Sequence, residues 1–437
     1  MTTTPPVPGQ RLESRIVDQK PALSRTAARA EAHRCLYCSD APCIAACPTG
    51  IDIPEFIRRI ATDNVAGAAK TIFAANILGH SCARVCPVEV LCVGACVHNA
   101  HDEPPIMIGR LQRHATDFAL SRGLRFATRQ PPTGKRVAFV GAGPASLAAA
   151  HELAVRGHAC VIFEARDLAG GLNTTGVAPY KLQTEASLEE VGYVLGVGGI
   201  ELRTGVAVGQ DVTFDDLTRD FDAVFLGMGL GPDSRLGLPG EALAGSWGAV
   251  ALIERIKNDP AFVLGDARSA VVIGGGNTAV DIARELRHLG VARVTMVYRR
   301  DEASMTGYAH ELDHARQEGV VLELRAVPVA IEGDTRVTGL RCARVDEALQ
   351  PLPGEEFTLP ADLVVRATGQ EKLAALLAGL PGLALQRGCV VVDPETGQTS
   401  LPHVFAGGDC VNGGKEVVNA AAEGKRAARG LDAFLRA

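Results

Sequence analysis

Apolar residues recur along the chain with two different periods. Between Ile51 and Gly79, in IDIPEFIRRIATDNVAGAAKTIFAANILG, they return at helical spacing, and glycines punctuate the run. From Arg136 onward, short continuous apolar runs end at glycine turns and are followed by longer apolar segments. This pattern predicts a mostly helical N-terminal region followed by α/β domains.

The first apolar run of the second region begins a dinucleotide-binding pattern. RVAFVGAGPASLAAAHELAVRGHACVIFEAR predicts a buried strand, a glycine turn, a helix and a second strand that ends in Glu164. Gly141 permits the tight turn, Gly143 lets the backbone approach a pyrophosphate, and Glu164 can bind ribose hydroxyls. Ser146 occupies the third glycine position, where a small side chain still lets the helix pack on the strand.

A second copy follows in SAVVIGGGNTAVDIARELRHLGVARVTMVYRR, with Gly274, Gly276 and Ala279 at the fingerprint positions. Its second strand ends in Arg299 and Arg300 instead of an acid, and guanidinium groups bind a 2′-phosphate. The copy therefore predicts an NAD(P)H site that favours NADPH over NADH. The alternative is that both arginines solvate the strand end, with the neighbouring Asp301 and Glu302 as partners.

A third glycine turn closes the chain in LPHVFAGGDCVNGGKEVVNAAAEGKRAARGL. An apolar strand, Asp409 and a following helix are typical of flavoproteins with two dinucleotide domains, in which they bring a polar group and a helix N-terminus to the flavin. The candidate FAD residues are Gly141, Gly143, Pro144, Ala145, Ser146, Glu164, Gly171, Leu172 and Asp409. The candidate NAD(P)H residues are Gly274, Gly275, Gly276, Asn277, Thr278, Arg299, Arg300 and Gly369.

Cysteine usage adds a second kind of chemistry. Eight of the 12 cysteines lie between Cys35 and Cys96, in the sets C-x2-C-x4-C-x3-C-P and C-x3-C-P-x4-C-x3-C. Disulfides, zinc and iron–sulfur clusters are the alternatives, and a flanking histidine could replace a ligand. Close spacing and the terminal Cys-Pro favour two 4Fe–4S clusters, whereas zinc sites more often use paired C-x2-C knuckles. The flanking histidines are His33, His80, His98 and His101.

The net charge and the N-terminal segment argue against a nucleic-acid-binding, secreted or membrane protein. The net charge of −6 gives no basic footprint for nucleic acid. The first 33 residues contain no apolar core of a signal peptide and no membrane span. We therefore expect a cytoplasmic protein that binds neither nucleic acid nor membrane, and disulfides are unfavourable in that compartment.

The order of these motifs resembles a known family. The eight cysteines, GAGPAS with FEA, GGGNTAVD with VYRR, ATGQ and GGD are similar to the glutamate synthase small-subunit family. CSDAPCIAACPTGIDI, CARVCPVEVLCVGAC, PPIMIGRLQRHATDF and GGLNTTGVAPYKL resemble most closely the NAD(P)H-oxidising FAD/iron–sulfur subunit of bacterial dihydropyrimidine dehydrogenase. The resemblance covers nearly the whole chain.

The resemblance implies interleaved cluster ligands. Cys35, Cys38, Cys43 and Cys96 would hold one cluster, and Cys47, Cys86, Cys92 and Gln112 the other, which leaves Cys82 as a buried bystander. It also implies a basic residue at Lys181 that lies near the flavin; a solvated loop lysine is the alternative. No residue is expected to act as a covalent catalyst, because the cofactors carry the hydride and the electrons.

The motifs together predict four segments. A helical iron–sulfur domain spans 1–125, a discontinuous FAD domain spans 134–262 and 369–437, and the NAD(P)H domain spans 263–368. No C-x-x-C dithiol follows Cys96 and no length remains for a substrate-converting domain. We therefore expect electrons to leave through the clusters to a second subunit, itself expected to carry FMN and iron–sulfur centres.

The favoured function is the electron-transfer subunit of dihydropyrimidine dehydrogenase. The alternatives with the same cofactors are the glutamate synthase small subunit and the NAD(P)-linked subunit of a 2-oxoacid oxidoreductase. A different class would be a zinc-containing scaffold whose nucleotide folds only sense redox state.

Overall fold

The N-terminal region is helical, as its apolar period predicts. The computed structural model describes residues 11–437. Ser24, Asp52 and Asn64 each accept a backbone N–H at a helix start, so polar caps fix where three of the helices begin. The helices are α1 (Arg25–Ala32), α2 (Pro42–Ala45), α3 (Ile53–Ala61), α4 (Val65–Ala75), α5 (Gly79–Val85) and α6 (Ile108–Ser121).

The remainder of the chain is built from strands and helices. In chain order these are β1 (Arg136–Val140), α7 (Pro144–Val155), β2 (Ala159–Glu164), α8 (Leu172–Thr175), α9 (Thr184–Leu195), β3 (Ile200–Thr204), α10 (Phe214–Asp220), β4 (Ala223–Leu226), β5 (Ser246–Gly248), α11 (Ala249–Asn258), β6 (Ser269–Ile273), α12 (Asn277–His288), β7 (Arg293–Tyr298), α13 (Ala309–Gln317), β8 (Val320–Leu324), β9 (Ala326–Gly333), β10 (Val337–Val345), β11 (Pro351–Pro360), β12 (Leu363–Arg366), α14 (Ala374–Leu377), β13 (Leu385–Gln386), β14 (Cys389–Val390), β15 (Val404–Ala406), α15 (Asp409–Asn412) and α16 (Val417–Arg436). Short 3₁₀ turns lie at Leu12–Arg15, Val88–Val90, Val97–His101 and Glu302–Ser304.

The larger of two compact units comprises Lys20–Thr174, Glu185–Leu230 and Lys372–Ala437. It contains helices α1–α6 and a five-stranded sheet in the order β15-β4-β1-β2-β3, in which every pairing is parallel. Strand β15 comes from the last segment of the chain, so this domain is discontinuous. Apolar side chains from β1, α7 and α16 form one core, and the N-terminal helices enclose another.

The smaller unit comprises the described residues up to Gln19, Thr175–Thr184 and Gly231–Glu371. Its parallel sheet has the order β5-β12-β6-β7-β8, and a separate antiparallel sheet has the order β11-β10-β9. Leu12, Ile16 and Tyr180 pack in the same core as α11 and α12. Two distant pieces of sequence therefore complete this unit.

The predicted fold class is confirmed: a helical N-terminal region precedes two domains with parallel sheets. The segments divide differently from the predicted ranges, however. The chain enters the smaller unit at Gly231 instead of residue 263, because β5 pairs in parallel with β12. It returns to the larger unit at Lys372 instead of residue 369. Among residues 11–437, no helix is both long and apolar enough to cross a membrane.

Candidate functional site

Four of the predicted cluster ligands line one cavity in the larger unit. Cys35 and Cys38 lie in the loop after α1, Cys43 lies on α2, and Cys96 immediately precedes a 3₁₀ turn. Ile53 and Ile57 of α3, with Ile106 and Ile108, supply the apolar wall. The structure thus brings together one thiol from the second cysteine set and three from the first.

His98 also lines this first cavity, but both of its ring nitrogens are engaged. Nδ1 lies 2.7 Å from a carboxylate oxygen of Glu103, and Nε2 lies 3.0 Å from the carbonyl oxygen of Arg34. The four thiols are therefore the donors that this cavity offers to a cluster.

The other predicted ligands line a second cavity. Cys47, Cys86 and Cys92 meet there with Gln112 of α6, and Cys82 lines the same wall. The side chain of Gln112 is buried, and its Nε2 donates to the carbonyl oxygen of Gly79 at 2.7 Å. Because this bond uses the amide nitrogen, the amide oxygen is the atom that can act as a ligand. Cys82 is buried, as predicted, at 2% exposure.

Two of the cavity thiols have raised pKa values, which cluster binding would have to overcome. Burial, with a smaller contribution from neighbouring cysteines, raises the pKa of Cys43 to about 11 and the pKa of Cys92 to about 12. These thiols are protonated at neutral pH, and a bound cationic centre would supply the energy that deprotonates them. The donor set fits iron–sulfur clusters, which thiolates hold in proteins.

The cysteine side chains of the described residues do not converge on a single point. Across residues 11–437, no group of three or more His, Cys, Asp or Glu side chains is arranged to hold one metal. A zinc ion requires thiolate sulfurs about 2.3 Å from a common centre.

The first glycine turn is shaped for a nucleotide. Gly141 has φ +87°, and a Cβ there would lie 2.8 Å from the Met228 Cα. Gly143 precedes α7 without a capping side chain, which leaves the N–H groups of the first turn available to an anion. The Ser146 side chain is fully buried, and a Cβ on Gly227 would approach its Oγ to 2.1 Å. Gly227 therefore makes room for the serine at the third fingerprint position. Pro144 and Ala145 complete the first turn of the helix.

The other predicted FAD residues lie in the same unit. Glu164 ends β2, and its carboxylate accepts the Ala142 N–H at 2.7 Å and the Arg166 N–H at 2.9 Å. A Cβ on Gly171, which has φ +56° and precedes Leu172, would lie 2.8 Å from the Gly143 Cα, so the two glycine turns touch. Asp409 begins α15 and accepts the Lys415 N–H at 3.2 Å, while burial raises its pKa.

The second fingerprint lies in the smaller unit. Gly274 has φ +148°, and a Cβ there would lie 2.4 Å from the carbonyl oxygen of Ala367. Gly276 precedes α12 without a capping side chain, and the Asn277 side chain accepts the Tyr308 N–H at 2.9 Å. A Cβ on Gly275 would lie 2.7 Å from the ring of Tyr298. Thr278 lies in the first turn of α12, and Gly369 follows β12 with φ +107°.

Arg299 and Arg300 are exposed at the end of β7. The acids that could pair with them are engaged elsewhere. Asp301 accepts the N–H and hydroxyl of Ser304, and Glu302 pairs with Arg316. The hydrogen bonds from Ser304 are the main cause of the lowered pKa of Asp301, and the charges of Arg325 and Arg300 contribute less. Neither guanidinium has a carboxylate contact in the described part of the chain.

The Lys181 side chain, in the smaller unit, is 13% exposed and held by two ion pairs. Its Nζ lies 2.7 Å from Asp281 and 2.9 Å from Glu311, and the Tyr180 hydroxyl donates to the same Asp281 oxygen at 2.7 Å. The alternative of a solvated loop lysine is therefore wrong. Its proximity to flavin stays a prediction. No sequence pattern indicates Asn76 and Val418, which also line the second cavity.

Two family descriptions match the chain. Residues 13–124 match dihydropyrimidine dehydrogenase domain II, 4Fe-4S cluster, and residues 135–424 match pyridine nucleotide-disulphide oxidoreductase. Both matches fall on the segments in which the cysteine cavities and the glycine turns lie.

Similar proteins match over almost their full length. The chain is 36% identical over 430 residues to a glutamate synthase [NADPH] small chain from Halomonas elongata, with 93% of this chain and 91% of that protein covered. It is also 36% identical over 418 residues to the NAD-dependent dihydropyrimidine dehydrogenase subunit PreT from Escherichia coli, with 95% and 96% covered.

Among solved structures, thioredoxin reductase from T. acidophilum has a TM-score of 0.58 and 22% identity. The match covers 69% of this chain and 98% of that chain. At this identity the similarity describes the fold alone.

Proposed function

We propose a function for this chain from the premise that it belongs to the family of FAD- and iron–sulfur-containing oxidoreductases that includes the glutamate synthase small chains. It is an NAD(P)H-dependent FAD/iron–sulfur oxidoreductase. When bound, FAD exchanges a hydride for single electrons, and the clusters carry electrons one at a time.

The finer proposal is that this chain accepts electrons from NADPH and passes them through two clusters to a partner subunit. The observation that supports this proposal most is that one short segment of the larger unit reaches both the proposed flavin site and the second cavity. Asp409 lies at the proposed flavin site, and α16 begins eight residues later at Val417, so that Val418 forms part of the second cavity's wall. One short segment therefore connects the flavin residues with the cavity of Cys47, Cys86 and Cys92.

The chain's own residues have distinct tasks in this function. The uncapped N-terminus of α7 would bind the FAD pyrophosphate, and Glu164 would orient the ribose. The uncapped N-terminus of α12 would bind the nicotinamide nucleotide, with Arg299 and Arg300 directed to its 2′-phosphate. Apolar walls around the cysteines keep water away from the cluster sulfurs.

The final substrate would be converted on the partner. We propose the dihydropyrimidine dehydrogenase role, which the similarity to PreT over 95% of the chain supports. The glutamate synthase role is the second candidate, because its small chains are equally similar, at 36% identity. The partner in the first role would bring FMN and further iron–sulfur centres.

The test is anaerobic purification followed by an absorbance spectrum, iron analysis and separate titrations with NADH and NADPH. We expect flavin bleaching and about eight irons per chain, the number in two 4Fe–4S clusters. Zinc without iron, or flavin that neither nucleotide reduces, would refute the proposed function. Mixing with either purified partner subunit then separates the two roles: uracil reduction supports the first, and glutamate formation supports the second.

A further inference from the structure

Arg325 occupies a strained backbone position between two sheets. It follows β8 and precedes β9, and it has φ +53°, in the left-handed region that favours glycine. Two backbone hydrogen bonds hold it there: its N–H donates to the Arg300 carbonyl oxygen at 3.2 Å, and its own carbonyl oxygen accepts the Val345 N–H at 3.0 Å. Glycine or asparagine would make the same turn at a smaller steric cost. A long basic side chain at such a position therefore points to a function beyond the turn itself.

The register of the parallel sheet places Arg325 beside the predicted nucleotide residues. Tyr298, the last residue of β7, pairs with Leu324, the last residue of β8. Arg299 and Arg325 come next, so they follow neighbouring strands that lie about 4.8 Å apart. The Tyr298 ring also lies against the second fingerprint turn, since a Cβ on Gly275 would be 2.7 Å from it. This edge of the sheet is formed by the carboxyl ends of the strands, where open α/β sheets bind nucleotides.

Three arginines at this edge lack partners for their charge. Arg299, Arg300 and Arg325 are all exposed, and within residues 11–437 none of their guanidinium groups has a hydrogen-bond or ion-pair partner. The acids that are near them in sequence bond to other side chains, in the pairs Asp301–Ser304, Glu302–Arg316 and Glu323–Arg344. Unpaired cations on one edge repel one another, so a bound anion would stabilise all three.

We propose that Arg325 binds the 2′-phosphate of NADPH together with Arg299 and Arg300, and that it contributes to the choice of NADPH over NADH. A phosphate monoester carries nearly two negative charges at neutral pH, and guanidinium groups donate paired hydrogen bonds to it. The 2′-hydroxyl of NADH carries no charge, so NADH would gain little from these arginines. The inference extends the proposed function and rests on it, because it requires that the smaller unit binds a nicotinamide nucleotide.

The test is a calorimetric titration of the FAD-loaded full chain with 2′-phospho-ADP-ribose and, separately, with ADP-ribose. The two probes differ only in the 2′-phosphate and undergo no hydride transfer, so the measurement reports binding alone. We expect Arg325→Ala to raise the Kd of 2′-phospho-ADP-ribose about tenfold and the Kd of ADP-ribose less than about twofold. Arg325→Lys keeps a positive charge without the planar fork of donors and should lose less affinity.

Arg336→Ala is the matched control, because Arg336 is an exposed arginine of the same unit that lies between β9 and β10. It removes the same charge at a distance from this edge and should alter neither Kd. Arg325→Gly separates binding from backbone strain: glycine favours the left-handed turn, so this variant should unfold at no lower a urea concentration than the wild type. It should nevertheless lose the same affinity as Arg325→Ala.

An unchanged Kd of 2′-phospho-ADP-ribose in Arg325→Gly would overturn the inference, and so would an equal loss of affinity for both probes. Equal wild-type Kd values for the two probes would overturn it as well, because no group would then recognise the 2′-phosphate. A wild-type chain that binds neither probe would refute the proposed function instead, so the two failures are distinguishable.

Discussion

At the scale of single residues, the two cysteine cavities differ in the donors that they offer. The first contains four thiols, whereas the second adds the amide of Gln112 to the thiols of Cys47, Cys86 and Cys92. A neutral amide leaves a cluster one charge less negative than a fourth thiolate would, which favours reduction. Bound through the Gln112 amide, the proposed second cluster would therefore be reduced more easily than a cluster with four thiolates.

Replacing Gln112 tests its proposed role as a ligand. Gln112→Ala should remove about four of about eight irons, because one corner of the second cluster loses its protein ligand. FAD content should stay unchanged, since the glycine turns are separate from this side chain. Iron analysis and the flavin spectrum of one anaerobic preparation measure both.

The matched control is Thr116→Ala, one turn further along α6 at a buried position that lines neither cavity. It should retain all the iron. Full iron content in Gln112→Ala would show that another donor completes the second cluster.

A double substitution tests the choice of nucleotide. Arg299→Ala with Arg300→Ala should weaken NADPH binding about tenfold, or about 1.4 kcal/mol, because two exposed guanidinium groups no longer face the 2′-phosphate. NADH binding should change less than about twofold. The measurement is the Kd of each nucleotide from flavin reduction.

Arg293→Ala is the control for this change, because Arg293 lies at the opposite end of β7 and is also exposed. It should alter neither Kd. Equal losses for both nucleotides in the double variant would mean that the two arginines do not bind the 2′-phosphate.

At the scale of elements, the flavin site depends on the close approach of two helices. A Cβ on Gly424 of α16 would lie 2.1 Å from the carbonyl oxygen of Ala145, in the first turn of α7. That turn carries the N–H groups proposed to bind the FAD pyrophosphate. The glycine therefore lets the C-terminal helix support the nucleotide turn directly.

Gly424→Ala should reduce bound FAD and destabilise the larger unit by about 1–3 kcal/mol, because a backbone oxygen cannot move aside cheaply. Gly192→Ala is the matched change within α9, where a Cβ meets no atom within 4 Å. It should retain FAD and stabilise the helix by about 0.5–1 kcal/mol. The measurements are the FAD content and the urea unfolding curve of each of the two variants. The interpretation fails if both variants retain full FAD.

The sequence could predict the elements whose signal is local. The fingerprint glycines, the strand that ends at Glu164 and the helical period between the cysteine sets identify their elements without tertiary information. Strand β7 ends at Tyr298, one residue before the predicted arginine pair. The ligand grouping, with Cys96 among the first set, came from family resemblance, because spacing along the chain does not tell which loops meet in space.

Contacts between distant segments could not be predicted in this way. The segment 175–184 contains an ordinary lysine and tyrosine in sequence, yet Tyr180 is buried and both side chains bond to the Asp281 carboxylate. Strand β5 has three residues, too few for a clear period, and only its pairing with β12 assigns it to the smaller unit. Tertiary packing, and not local pattern, places both segments.

At the scale of the whole molecule, each unit has its own cores and its own spectroscopic reporter. Trp247, the single tryptophan of the chain, lies on β5 in the smaller unit and packs against Phe262 at 5.6 Å between ring centroids. Absorbance of flavin and clusters would report on the larger unit. The unfolding of the two units can therefore be followed separately in one sample.

A buried carboxyl in the smaller unit makes this separation testable. Glu285 of α12 is 0% exposed, and neither of its carboxylate oxygens has a hydrogen-bond partner within residues 11–437. Burial raises its pKa well above the usual range, and the charge of Lys257 offsets this only in part. The folded state therefore binds this proton more tightly than the unfolded state, so the free energy of unfolding falls as the pH rises above about 4.3. The total loss is about 1.4 kcal/mol for each unit by which the folded-state pKa exceeds the unfolded-state pKa.

Glu285→Gln keeps the shape of the neutral acid and removes this titration. Urea unfolding is followed by Trp247 fluorescence. At pH 5 the variant and the wild type should unfold at similar urea concentrations. At pH 8 the variant should be more stable by at least about 1 kcal/mol. The transition in flavin and cluster absorbance should be unchanged at both pH values. Glu347→Gln, an exposed change in the same unit, should show no such pH dependence. If the fluorescence and absorbance transitions shift together, the two units unfold as one cooperative body. If the stability difference between variant and wild type is the same at both pH values, Glu285 does not titrate in this range.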